Sequence, residues 1–108
     1  MTWTIEVLNR TVEKEIGALP ADMKARLLHI SELLQSFGPQ HVGLPYVRPL
    51  EKKLWEMRLS GKAGIGRAIY FAAQDQRLVI VHVFIKKTQT TPRQAIDLAL
   101  ARMREFKP

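Results

Sequence analysis

Arg67 stands inside the run Ile65-Gly66-Arg67-Ala68-Ile69-Tyr70-Phe71-Ala72, where every other member is apolar, glycine or tyrosine. A guanidinium offers a planar fork that matches phosphate oxygens and stabilises negative charge developing on them. Arg58 falls in the preceding apolar run, 53–59, and the gap Ser60-Gly61-Lys62-Ala63-Gly64 reads as a tight turn. With the hairpin centred near Lys62 and Ala63, Arg58 and Arg67 become cross-strand neighbours on one face and can share a phosphate. A one-residue change of register would separate them. Lys86 and Lys87 close a third run, 78–86, with Lys86 on the side of His82 and Phe84 and Lys87 on that of Ile85. Either can hold phosphate, and a desolvated lysine beside other cations can also move protons. Tyr70 can stack on a base or donate a proton.

The remaining ionisable candidates have weaker credentials. His82 lies between Val81 and Val83 and is expected to be a satisfied core histidine rather than a catalytic base. His29 and His41 have no companions at metal-ligand spacing, so neither a metal nor another cofactor is expected. The chain has no cysteine, which removes disulfides, thiolate zinc sites and thiol nucleophiles together and fits a reducing cytoplasm.

Charge distribution narrows the partner. Of the net +7, residues 1–47 contribute four Lys/Arg against five Asp/Glu, and residues 48–108 thirteen against five, a change from −1 to +8. A polyanion is the partner such a half-molecule attracts, because neutralised phosphates release counterions. Arg48, Lys52, Lys53, Lys62 and Thr88 are the further candidates for contact with such a polyanion. No stretch approaches the roughly 18 apolar residues of a membrane helix, and the N-terminus lacks the pattern of a secretory signal.

The elements that must position these residues follow from periodicity. At 108 residues the chain is expected to form one domain. Trp3, Ile5 and Val7 alternate as in a strand, and Asn9 or Thr11 can cap a short helix over about 11–17. Met23, Leu27, Ile30, Leu34 and Phe37 form one apolar helical stripe after Pro20, stopped by Gly38-Pro39. The segment 38–49 reads as an ordered loop, and the three runs that follow as consecutive antiparallel hairpins, the last a central strand covered on both faces. Thr91-Pro92-Arg93-Gln94 carries the capping-box arrangement, with Thr91 as N-cap of a final helix. The expected fold is α+β: a small antiparallel sheet with two N-terminal helices on one face and a C-terminal helix, the helices covering one face and leaving the other for function.

Leu54-Trp55-Glu56-Met57-Arg58, Gly66-Arg67-Ala68-Ile69-Tyr70-Phe71 and Val83-Phe84-Ile85-Lys86-Lys87-Thr88-Gln89-Thr90-Thr91-Pro92 together resemble the RelE/HigB superfamily of toxins, in particular its phage-derived HigB-like branch. The resemblance spans essentially the whole chain. It implies a toxin that acts on mRNA at the ribosome and is held inactive by a helix-turn-helix antitoxin. RNA can be cut without metal when its own 2′-hydroxyl attacks the adjacent phosphate, given a proton acceptor, charge stabilisation on the phosphorane and a proton donor. With RNA as substrate, the catalytic candidates are Arg67, Arg58, Lys86, Lys87 and Tyr70. Some relatives place a catalytic tyrosine near the C-terminus, whereas this chain ends Arg104-Glu105-Phe106-Lys107-Pro108, and phenylalanine cannot exchange protons. The alternatives are a ParE-like gyrase-inhibiting toxin and a non-catalytic RNA-binding module. Stability gives no evident reason for Arg67, so Arg67→Ala is expected to abolish activity with the fold intact.

Overall fold

The computed structural model describes residues 2–86 and 90–107. The order is β1 (Thr4–Val7), α1 (Arg10–Gly17), α2 (Ala21–Phe37), a 3-10 turn (Pro39–His41), β2 (Val47–Pro49), β3 (Trp55–Gly61), β4 (Gly64–Ala73), β5 (Arg77–Lys86) and α3 (Arg93–Glu105). Asn9 caps α1 by accepting the Val12 N–H at 3.1 Å. Met23, Leu27, Ile30 and Leu34 are buried as the stripe predicts, while its last member, Phe37, is 61% exposed. Gly38, at φ +83°, ends α2.

The sheet runs β1-β5-β4-β3-β2. The three hairpin strands are antiparallel as expected, with Gly61 paired to Gly64 across the Lys62-Ala63 turn. Two features depart from the sequence reading. β1 joins β5 in parallel, Thr4 opposite Arg77 to Val7 opposite Ile80, so the sheet is mixed. Glu6 fixes that register through two hydrogen bonds from Arg77, each 2.8 Å. Within the loop 38–49 a short edge strand, β2, pairs antiparallel with β3. Pro49 is tolerated there because an edge strand has one side whose N–H groups need no sheet partner.

Helices cover both faces of the sheet. α1 and α2 pack with Met57, Leu59, Ala68, Tyr70, Leu78 and Ile80. α3 packs through Ala95, Ala99 and Leu100 on Ile69, Phe71, Val79 and Val81. The expectation of one wholly free face is therefore corrected: α3 occupies part of it, because Phe71, Val79 and Ile69 make that part apolar. Flanked by β1 and β4, β5 is buried over Leu78–Val81 as its sequence predicts, but beyond Ile80 it has no strand on the β1 side among the described residues, and Ile85 and Lys86 are exposed.

β1 pairs only with residues 77–80 of β5, and side chains take over the next stretch of its edge. The Glu15 carboxylate on α1 accepts the Val83 N–H at 3.0 Å, and Arg102 on α3 donates to the Val81 carbonyl and to Glu15, each at 3.0 Å. His82 Nδ1 lies 3.1 Å from the same carboxylate. Burial raises the Glu15 pKa, but the bonds from Val83, His82 and Arg102 outweigh it and hold the group below its ordinary value. Burial likewise lowers the His82 pKa, against the opposing pull of Glu15. His82 is thus the half-buried, satisfied histidine expected from sequence.

A depressed histidine pKa means the unfolded chain takes up this proton before the native protein does. The stability that neutral His82 contributes is present above the unfolded value near pH 6.5 and is lost as pH falls through it. The thermal midpoint should decline as pH falls below about 6.5 toward the lowered folded value, and His82→Asn should flatten that decline. Equal slopes for the two proteins would remove His82 as the source.

Candidate functional site

Arg58 and Arg67 are direct cross-strand partners, and Arg67 is opposite Phe84 on its other side. Alternation along the strands puts Arg48, Glu56, Arg58, Arg67, Phe84 and Lys86 on the α3 face of the sheet. On the facing side of β4, Gly66 admits α2, for a Cβ there would lie 2.9 Å from Met23 Sδ.

Arg67 does not reach solvent. Its side chain and that of Glu56 are both 0% exposed, and the two are joined at 3.1 Å. Glu56 also accepts Arg48 Nε at 2.6 Å and the Thr91 hydroxyl. The Thr91 oxygen in turn accepts from Arg48 and Arg67, each at 3.2 Å. A carboxylate buried in this way is tolerated only when charges and hydrogen bonds answer it. Burial pulls the Arg67 pKa down and Glu56 pulls it up, while the neighbouring Arg48 and Arg58 charges add to the lowering.

This cluster revises two expectations. Thr91 is not the N-cap of α3: the helix starts at Arg93, and the cap position, Pro92, makes no side-chain cap bond. The buried carboxylate engages the hydroxyl in place of the helix N–H groups. Nor is Arg67 a charge without a stabilising reason, since Glu56 is buried against it. The N-terminal turn of α3 is further tied down by Arg93, which bonds Glu51 at 2.7 Å and Asp97 at 2.9 Å.

Beside this cluster, Phe84 stacks on His82 with ring centroids 4.9 Å apart. Together with Lys86, Pro92, Ala95 and Leu98 they line a cleft of about 310 Å³ between the end of β5 and the start of α3. Lys86 is exposed, Phe84 and Arg58 half-buried. The structure therefore brings together Arg48, Arg58, Arg67 and Lys86. Lys87 and Thr88 lie outside the described residues.

The other candidates are elsewhere. Lys52 and Lys53 are exposed in the β2–β3 turn, and Lys53 borders Phe71, Ala73 and Phe106 at the opposite end of the sheet from Lys86. Lys62 is at the tip of the β3–β4 hairpin, its N–H bonded to Asp22 on α2 at 2.9 Å. Tyr70 is buried in the α1/α2 core, and burial raises its pKa. Its offset of three residues from Arg67 puts it on the opposite face, so it is removed from the arginine site. Glu56, Thr91 and Phe84 were missed as site residues. Among the described residues, no group of three or more His, Asp and Glu side chains is placed to hold a metal ion, and no helix is long and apolar enough to cross a membrane.

The profile of the phage-derived Gp49-like protein family matches residues 14–104, which include the whole arginine cluster. The chain belongs to that family. Two solved structures share the fold of this Gp49-like protein. An archaeal RelE–RelB complex from Pyrococcus horikoshii OT3 is 22% identical, with a TM-score of 0.58 over 83% of this chain and 100% of the other. An arginine-to-alanine double mutant of the E. coli toxin RelE in the free state is 12% identical, with a TM-score of 0.66 over 95% and 99%. No curated protein matches in sequence. The Gp49-like chain is thus an α+β protein of RelE fold, as the resemblance implied.

Proposed function

We propose that this Gp49-like protein is the toxin of a toxin–antitoxin pair and an endoribonuclease that cuts mRNA on the ribosome. The observation that carries the reading is the in-register pair Arg58 and Arg67 beside the cleft of Phe84 and Lys86. Arg48 and Arg67 share the Glu56 carboxylate, and the Arg48 and Arg58 charges act on Arg67 across one sheet face, a positive field that an RNA phosphate would meet. In this reading Arg58 and Lys86 meet the scissile phosphate, while Arg67 and Arg48 hold the field beneath it. Phe84, backed by His82, offers a flat surface for an unstacked base. The substrate's own 2′-hydroxyl attacks the phosphorus and gives its proton to solvent, and the bond to the 5′-oxygen breaks to leave a 2′,3′-cyclic phosphate. The departing oxygen takes a proton from solvent, and the arginines stabilise the charge that develops on the phosphorane. The RelE–RelB complex among the similar structures supports a protein antitoxin as the partner.

Expression without an antitoxin is expected to stop growth through translation. In pulse-labelled cells, incorporation of radiolabelled methionine should fall before thymidine incorporation does. Early failure of DNA synthesis with gyrase-dependent breaks would replace this reading with the ParE-like one.

A further inference from the structure

His82 is satisfied at one ring nitrogen only. Glu15 on α1 faces Nδ1 at 3.1 Å. A carboxylate can only accept, so Nδ1 carries the proton of that bond. Arg102 Nη1 lies 3.3 Å from the same nitrogen but donates to Glu15 and to the Val81 carbonyl, each at 3.0 Å. The neutral imidazole therefore has its lone pair on Nε2. Nε2 makes no hydrogen bond among the described residues, and it is not one of the enclosed polar atoms left without a partner, so it meets open space. His82 lines the cleft of about 310 Å³ that also holds Phe84 and Lys86, and Phe84 fixes the plane of its ring by stacking at an interplanar angle of 23°. A ring nitrogen with a lone pair, held by a carboxylate at its other nitrogen, is the equipment of a general base.

We infer that His82 Nε2 is the proton acceptor of the cleavage step and that Glu15 is its positioning residue, an inference that rests on the nuclease reading above. The 2′-hydroxyl proton passes to Nε2 in place of solvent as the oxygen attacks phosphorus. The bond to the 5′-oxygen breaks, that oxygen takes a proton from solvent, and the imidazolium releases its own to solvent once the cyclic phosphate has left. The charged groups that face the ring are Glu15 from α1 and Arg102 from α3, with Lys86 further along the cleft. Burial keeps the ring neutral at rest, and Glu15 favours the imidazolium as it forms.

Two measurements on the full chain test this. In nitrogen-15 spectra at mildly alkaline pH, with His82 assigned by its loss in His82→Asn, Nδ1 should be protonated and Nε2 bare. Single-turnover cleavage of ribosome-bound mRNA should rise with pH through one ionisation below the ordinary histidine value of about 6.5 and then level off. His82→Asn should lower that rate about a hundredfold or more and remove the pH-dependent limb, while binding of a 2′-O-methyl RNA, which cannot be cut, is unchanged. Glu15→Gln retains an acceptor for the Val83 N–H and should lower the rate less, with the limb moved to lower pH because the charge that favours the imidazolium is gone. A protonated Nε2, or an unchanged rate and pH profile in a folded His82→Asn protein, would overturn this inference and leave the nuclease reading standing. Should His82→Asn not fold, an unmoved limb in Glu15→Gln overturns it equally. Absence of cleavage by the unmodified protein would overturn both.

Discussion

Glu56→Ala is expected to lower stability by about 3–5 kcal/mol, the effect of leaving a buried charge without its partner. Glu56 answers Arg67, Arg48 and Thr91 together, and neither Glu56 nor Arg67 touches solvent. Domains of this size have only about 5–15 kcal/mol in total, so the loss is a large share of it. Thermal denaturation should show a midpoint lowered by roughly 10–20 °C. Glu56→Gln keeps acceptor capacity for the Thr91 hydroxyl and should cost less. A midpoint for Glu56→Ala within about 2 °C of the unmodified protein would mean that the cluster contributes little to the fold.

The same cluster shows where sequence reading reaches its limit. Periodicity located α1, α2, the three hairpin strands and α3, because each of those patterns is local. It also set the turn at Lys62-Ala63, from which the Arg58–Arg67 register followed. Pairing of β1 with β5 is a contact across most of the chain, and no local pattern specifies its direction. β2 is three residues long, too short for alternation to register, and it lies among prolines. Thr91 illustrates a tertiary override: its local sequence is that of an N-cap, but Glu56, 35 residues away, competes for the hydroxyl. Glu56 drew no attention as a site residue, since nothing in its neighbours announces the burial of a carboxylate. Tyr70 was avoidable, because strand alternation alone separates it from Arg67. His82 was assigned well for the opposite reason: its apolar neighbours on the strand reported its surroundings.

The buried pair also changes which arginine gives the cleaner test of chemistry. Arg67→Ala would remove a side chain that Glu56 needs, so lost activity would be mixed with lost stability. Arg58 is on the same face, next to Arg67 across the hairpin, and is half-buried. In the proposed site it meets the phosphate. Removing one oriented cation from a developing phosphorane should cost roughly 3 kcal/mol, on the order of a hundredfold in rate. Arg58→Lys should restore part of it, since a point charge cannot reproduce the two-pronged contact.

Primer extension on cellular mRNA after brief expression of the unmodified protein and of Arg58→Ala, with a thermal melt of each, tests the central claim most directly. The account predicts discrete new 5′ ends within translated regions for the unmodified protein, and their near-complete loss in an Arg58→Ala protein that melts as a folded domain. Intact messages in cells arrested by the unmodified protein, or undiminished cleavage by folded Arg58→Ala, would contradict it.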